Sequence, residues 1–452
     1  MTSRFWSAAV TSQAGAKCRA GELRIPGCLA ISTPELLLPT QLGAPPYLTP
    51  AVFNGISASM PVVVTVEDVH HGSVMSEYKQ KKRGKKGRGE AEVEREVVGA
   101  TPTHLSDYIK TKRAIVFAAE AAAPTVRMQA NKCVIPSSKG NIALTAESYA
   151  KMIAKYKPSV AVLPFPTIPP TSLVPTQSKN LHTAGQKALK RAMQMAKDQQ
   201  RWMAQCQGVS ATSLISPLIS TDCCDSASAV KDDFRTKGLR QDVRQASLDL
   251  LESGCEVVTV ANSITRPPSM PGNVLRIRLN ARTIADILHA VLDGFDLIGS
   301  DLPERYAEEG IALVISPDVM SYGKTEAEAE GEGEAEAEGE GEMVTDPPGD
   351  DEPAYQLLRL RDTVYESASD PLEEGCGCPT CQGGYSRGYI HHLLQVQEIL
   401  GLSLLMAHNT YTVHGLIAHG RGLILGSASE DGVGERETPL DTWGNALLSR
   451  ME

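Results

Sequence analysis

The chain has 452 residues, 42% hydrophobic and 22% charged, enough for one large α/β domain with insertions or for two ordinary domains. Its formal net charge is −10, but nine glutamates alternate with Ala or Gly from Glu326 to Glu342, so the remainder is close to neutral and acidity identifies no partner. No apolar run reaches the length of about 18 residues that a transmembrane helix needs. The 10 cysteines, three clustered and seven scattered without framework spacing, point to a reduced, intracellular setting rather than a disulfide scaffold.

Residues 1–21 lack Asp and Glu but carry Arg4, Lys17 and Arg19 among Ser and Ala, the composition of a mitochondrial transit peptide. The better reading is a folded segment in which Phe5–Thr11 and Glu22–Ile25 are paired strands. From Glu22 to Tyr78, short apolar runs broken by Pro and Gly predict strands and tight loops, with Cys28 as a buried strand thiol rather than a reactive one. Lys79–Arg88 is a basic run followed by acidic Glu90–Glu96; it reads as a solvated inserted loop, with nucleic-acid phosphate contact and nuclear localisation as alternatives.

Beyond Thr103 the pattern alternates between strand and helix. A helix over Thr145–Lys155, N-capped by Thr145, precedes a strand at Val160–Pro164; a long helix over Ser178–Gln205 precedes a strand at Leu214–Ser220. A helix over Arg240–Glu252 stops at Gly254, and strands follow at Glu256–Ala261 and Val274–Leu279. Thr283–Leu292 is a helix with Gly294 as its C-cap, and Phe295–Ile298 and Ile311–Ile315 are the last clear strands. Buried apolar strands alternating with helices argue a parallel sheet, either doubly wound or a (β/α)8 barrel. No GxGxxG or GxxxxGK(S/T) string supports the nucleotide-binding form. Lys324–Glu352 is a low-complexity acidic insertion, after which Tyr355–Tyr365 resumes an amphipathic pattern and Leu440–Met451 adds a final helix.

Cys376, Cys378 and Cys381 stand as Cys-x-Cys-x-x-Cys, flanked by Gly375, Gly377, Gly383 and Gly384, whose freedom lets the chain curl around one ion. Three thiolates and one imidazole complete a closed tetrahedral zinc site. His408 lies on a helical pattern beginning near Ser386 that can return it to the cysteines, while His391 and His392 are competing donors. A disulfide or three idle thiols are the alternatives.

The string CGCPTCQGGYSRGYIHHL, followed by His408-Asn409, resembles the zinc subdomain of the queuine and archaeosine tRNA-ribosyltransferases, the tRNA-guanine transglycosylases. That likeness covers Cys376 to about Arg421 and implies one Zn2+ held by Cys376, Cys378, Cys381 and His408. IPGCL at 25–29, the Gly43–Thr49 segment and the EYK ending at Lys79 resemble the family's opening, and more closely that of its eukaryotic non-catalytic branch. A weaker likeness over Pro136–Ile315 favours the barrel. The expected architecture is α/β, a (β/α)8 TIM-type barrel with an N-terminal β-rich segment and an inserted zinc-binding subdomain. Its parts are 1–78, β-rich; 79–96, a charged insertion; 97–323, the barrel; 324–353, the acidic insertion; 354–425, the zinc subdomain and helices; and 426–452, the tail.

Catalytic members of that family use two aspartates, one a nucleophile at the ribose C1′ and the other a general acid/base. The nucleophile segment, Gly-Val-Asp-x-Phe-Asp-Cys-Val-x-Pro, aligns without a gap on Gly294–Pro303 and puts Gly299 at the nucleophile position. Asp301 is two residues on, about 6–7 Å along a strand. The Asp-Ser-Gly-Gly-Phe-Gln loop is absent, its region being occupied by the charged insertion and Val97–Lys112. The expectation drawn is that the chain is not an enzyme and has no catalytic residues. It would be the non-catalytic subunit of a cytoplasmic heterodimer with a catalytic queuine tRNA-ribosyltransferase subunit. That complex acts on tRNA, exchanging guanine for queuine at wobble position 34 of GUN anticodons, with peripheral association at the mitochondrial outer membrane. The alternatives are an active transglycosylase with Asp301 as relocated nucleophile, or a zinc-containing RNA-binding barrel.

Overall fold

Runs such as Val62-Val63-Val64 and Ile115-Val116-Phe117 are too short for helices and rich in β-branched residues, which suit a pleated, buried strand. The computed structural model describes residues 18–71, 112–118, 127–163, 275–323, 353–427 and 438–451 apart from a few single positions, together with strands at 213–217 and 257–259 and parts of 194–206. The chain opens with an antiparallel hairpin, β1 (Gly21–Leu23) on β2 (Ile31–Thr33). Then come barrel strands β3 (Glu35–Pro39), β4 (Val62–Thr65) and β5 (Ile115–Ala118). An antiparallel sheet of β6 (Arg127–Gln129), β7 (Lys132–Ile135) and β8 (Ile142–Leu144) is inserted before the barrel resumes. The remaining barrel strands are β9 (Val160–Val162), β10 (Ser213–Pro217), β11 (Val257–Thr259), β12 (Leu275–Arg278) and β13 (Leu297–Gly299). All eight neighbours pair in parallel, and β13 closes the ring on β3 with Leu297 opposite Glu35. The expected (β/α)8 barrel is therefore what the chain forms.

Side-chain alternation gives the barrel two faces. Leu37, Val63, Val116, Val160, Val162, Leu275, Ile277 and Leu297 form an inner cluster, and Leu36, Leu38, Val62, Val64, Phe117 and Ile298 pack outward with the helices. Leu23, Ile25 and Ile31 of the hairpin join the inner cluster, closing the N-terminal end of the barrel. Arg19 fastens this plug: its guanidinium pairs with Asp296, both groups buried, and the Asp296 carboxylate also accepts the Arg276 amide at 2.6 Å. The pairing of β1 with β2 was not among the expectations; the expected partner, Phe5–Thr11, lies outside the described residues. The basic run and the acidic insertion lie outside them too.

Helices α1 (Pro50–Ile56), α2 (Val66–His71), α3 (Ala146–Tyr156) and α4 (Ile284–Leu292) surround the described part of the barrel. Thr145 and Thr283 cap α3 and α4 through capping boxes, as their sequence positions suggest. After α5 (Leu302–Glu309), strand β14 (Ile311–Ile315) leaves the barrel and pairs antiparallel with β15 (Tyr355–Arg359). Ile311–Ile315, read in series with the barrel strands, is thus a strand of a separate ribbon. It receives α6 (Pro317–Ser321), α7 (Pro379–Gln382), α8 (Arg387–Gln395), the 29-residue α9 (Ile399–Ser427) and α10 (Pro439–Ser449).

Helix α9 joins the ribbon to the barrel. His414 reaches the buried Glu35 carboxylate at 2.8 Å, and Arg421 donates to the Pro34 carbonyl at 2.7 Å. The continuous helix expected from Ser386 is two helices, because Gln397 takes a left-handed backbone (φ 59°) between α8 and α9. No helix among the described residues is long and apolar enough to cross a membrane.

Candidate metal centre and barrel mouth

Cys378 caps α7, its sulfur accepting the Cys381 amide at 3.3 Å, so one tight turn places both thiols on one side. Gly377 has no room for a side chain: a Cβ there would stand 2.5 Å from the Tyr411 hydroxyl. Helix α9 brings His408 to the turn, with Nδ1 at 3.4 Å from Cys378 Sγ, 3.7 Å from Cys381 Sγ and 3.8 Å from Cys376 Sγ. The four donor atoms lie within 4.8 Å of one another. Tetrahedral zinc with sulfur at about 2.3 Å and nitrogen at about 2.0 Å requires donor separations of about 3.5–3.8 Å, so the donors fit that ion.

The ring orientation of His408 is fixed from behind. Nε2 faces the Leu313 carbonyl at 2.9 Å, so this nitrogen carries the proton and Nδ1 keeps its lone pair for a metal. Asn409 locks the same helix turn to β14, its amide donating to Ile311 O and accepting from Leu313 N, each at 2.9 Å. Thr380 binds α7 to the Leu404 carbonyl at 2.7 Å. Hydrogen bonds from Cys376 and Cys378 hold the Cys381 thiol well below the usual range, the character a metal ligand needs. Of the competing donors, His391 is buried and faces the Leu360 carbonyl at 2.8 Å, and His392 is exposed; neither joins the cluster.

The other chemical centre is the mouth of the barrel, beyond the C-terminal strand ends. Leu297 faces inward, so alternation puts Gly299, the last residue of β13, on the inward side as well; Asp301 lies beyond the strand. Gly299 ends β13; its carbonyl accepts the Ala281 amide at 2.8 Å. Asp301 is the N-cap of α5 without a side-chain cap bond, and its carboxylate lies 3.5 Å from Arg305 Nε. Glu304, one turn on, accepts Gln41 Nε2 from the loop after β3 at 2.5 Å. Burial, together with repulsion from Glu308 and Asp301, pushes the Glu304 carboxyl up to about 6 despite the Gln41 bond.

A raised carboxyl binds its proton more tightly in the folded than in the unfolded chain, so its contribution to stability falls as pH rises from about 4.5 to about 6. The side-chain carboxyl carbon of Glu304 is expected to titrate by NMR with a midpoint near that upper value, and Glu304→Gln should remove this pH dependence. A midpoint at the ordinary carboxylate value would show the burial to be ineffective. The sequence reading missed Glu304 and Gln41, because nothing local marks two residues 263 apart as neighbours.

The family model described as Queuine tRNA-ribosyltransferase matches residues 14–431. Proteins named queuine tRNA-ribosyltransferase are similar over shorter stretches. The one from Lachnoclostridium phytofermentans is 54% identical over 54 residues, 12% of this chain and 14% of its own length. Those from Sorangium cellulosum and Rickettsia bellii are 29% and 27% identical over 33% and 36% of this chain, 28% and 34% of their own lengths. The chain thus spans at most about a third of the length of these relatives in any one match.

These names correct the expectation that the chain is not an enzyme. The relatives bear the name of an enzyme, and nothing in the match sets this chain apart as a non-catalytic subunit. The expectation rested on Gly299 and on the missing Asp-Ser-Gly-Gly-Phe-Gln loop, and two short motifs weigh less than a family match over residues 14–431. With a family match across most of its length, a closed barrel and a Cys3His cluster of zinc dimensions, the chain belongs to the queuine tRNA-ribosyltransferase family.

Proposed function

We propose that this chain carries out base exchange on tRNA, replacing guanine by queuine at wobble position 34 of GUN anticodons, with Asp301 as the attacking carboxylate. The observation that carries the reading is the family match over residues 14–431, beside which Asp301, the N-cap of α5, directly follows the C-terminal end of barrel strand β13, the end at which barrel enzymes keep their chemistry. Asp301 Oδ attacks the ribose C1′ as the C1′–N9 bond breaks, its electron pair leaving with guanine, which takes up a proton. Queuine N9 then loses a proton and attacks C1′, and the bond to Asp301 breaks. Cys376, Cys378, Cys381 and His408 are the proposed zinc ligands. Their role is structural: they hold α9 against β14 and play no part in the exchange.

The proposed partners are tRNA and a second chain of the same family. Tyr389, Val396, Ile399 and Leu400 are exposed apolar residues within twelve positions at the junction of α8 and α9, which supports pairing there. The test is a denaturing gel of tRNA mixed with this chain and a guanine analogue that stalls the covalent intermediate, run with the chain alone and with any co-purifying family chain. An RNA-linked band on this chain is expected, and Asp301→Asn should remove it. No band, or a band that survives Asp301→Asn, would overturn the assignment.

A further inference from the structure

Strands β3 and β13 are neighbours in the barrel, so the turn that follows β3 and helix α5, which follows β13, meet at the rim. Gln41 closes that turn by exchanging backbone hydrogen bonds with Ala44, at 2.9 and 3.2 Å. Its side chain donates to Glu304 Oε1 at 2.5 Å, and Tyr47, on the far side of the turn, donates its hydroxyl to Glu308 Oε1 at 2.9 Å. Glu304 and Glu308 are one helical turn apart, so the two donors grip a single face of α5. Tyr47 is held against its own preference: its backbone is left-handed (φ 60°), a conformation that a non-glycine residue keeps only where its surroundings enforce it. The turn is therefore strained, and bonds to two carboxylates hold it on α5.

We infer that this turn is a pH-sensitive strap on the rim of the barrel, held firmly while Glu304 carries a proton and loosened when Glu304 ionises beside Glu308 and Asp301. The face it grips bears charge of one sign. Glu304 stands four residues before Glu308 and three after Asp301, spacings at which like charges on a helix repel. From the strap it is faced by Gln41 and by the Tyr47 hydroxyl, and neither is a cation. Burial holds that hydroxyl above its ordinary range, so it remains a donor throughout. Arg305, the next residue of α5, is turned to Asp301 at 3.5 Å and to the Arg282 carbonyl. Burial and the repulsion raise the Glu304 carboxyl to about 6, and the Gln41 bond opposes them only in part. Opening the strap exposes Glu304 and returns its proton affinity toward the ordinary value of 4.5. The closed form thus binds the proton more tightly than the open one, so by linkage its advantage is complete below about 4.5 and is lost as pH rises through about 6. Those two values bound the change in the closing equilibrium at about thirtyfold.

Native-state hydrogen exchange on the full chain tests the strap, with rates corrected for the intrinsic effect of pH. The reporter is the Ala44 amide, whose bond to the Gln41 carbonyl closes the turn; the Val62 amide, bonded to the Ala114 carbonyl at 3.1 Å inside the barrel, reports opening of the whole domain. Ala44 should be less protected than Val62 at every pH, because the strap opens by itself. Between about pH 4.5 and about pH 7.5 its protection should fall severalfold, up to about thirtyfold. Glu304→Gln keeps the size of the side chain and cannot ionise, so its Ala44 protection should stay level across that range. Tyr47→Phe removes the second tie and should lower Ala44 protection at every pH while keeping the fall. Equal protection of Ala44 and Val62, a level profile in the wild type, a fall that survives Glu304→Gln, or wild-type protection in Tyr47→Phe would each overturn the inference. The readout is backbone protection, so it is independent of whether the chain exchanges a base.

Discussion

His408→Ala should lose the bound zinc, about one ion per chain in the wild type, and with it the docking of α9 on the β14–β15 ribbon. Two contributions act together. The ligand set falls to three thiols, and apparent zinc-binding energies of about 10 kcal/mol or more in small structural sites are folding energy that the variant forfeits in part. The buried Leu313 carbonyl also loses the donor that now stands 2.9 Å away, which costs about 1–3 kcal/mol for an unsatisfied acceptor. A Tm drop well beyond that of ordinary surface substitutions is expected, with metal analysis reporting little zinc. His391→Ala and His392→Ala are the controls, since neither side chain joins the cluster, and both should retain the metal. Native protein without zinc, or full zinc in His408→Ala, would remove the metal centre.

That centre was legible in the sequence because its information is local: three cysteines in six positions, glycines beside them, and a helix able to return one histidine. The cap of α3 was legible for the same reason, since Thr145 sits directly before the apolar period it starts, while Thr283, read as the first residue of its helix, is the N-cap of α4. The barrel itself was not legible from periodicity, because apolar strands alternating with helices serve a doubly wound sheet equally well, and only the family likeness chose between them. Pairings across long separations stayed hidden. Ile311–Ile315 has the composition of a barrel strand, yet its partner is Tyr355–Arg359, beyond the acidic insertion. The segment Gly21–Leu23 pairs with Ile31–Thr33, a partner the sequence reading did not name. The error about catalysis had a different origin, since it was read from two short motifs, Gly299 and the missing Asp-Ser-Gly-Gly-Phe-Gln loop, against a likeness that runs over residues 14–431.

The other large effect is expected at the opposite end of the barrel. Arg19 and Asp296 are 277 residues apart, nearly fully buried, and joined by two hydrogen bonds. Burial pushes the Asp296 carboxyl up, with Arg19 and the Arg276 amide opposing the shift, so the carboxylate depends on these partners for its charge. Removing one member takes from the other its bidentate buried partner, and Arg19→Met should cost about 3–5 kcal/mol. The loss should be felt in the plug: Leu23, Ile25 and Ile31 enter the barrel's N-terminal end on the chain that Arg19 anchors. Asp296→Leu should cost at least as much, because the Arg276 amide loses its acceptor at 2.6 Å as well. The double variant should be less damaging than the sum of the two, since the interaction between the two side chains is then lost once and not twice. Urea unfolding of the four proteins gives the cycle, and hydrogen exchange at Gly21–Leu23 and Ile31–Thr33 shows whether the plug opens first. Additive losses, or single variants as stable as the wild type, would mean that the pair carries no energy of its own and that apolar packing alone holds the N-terminal end closed.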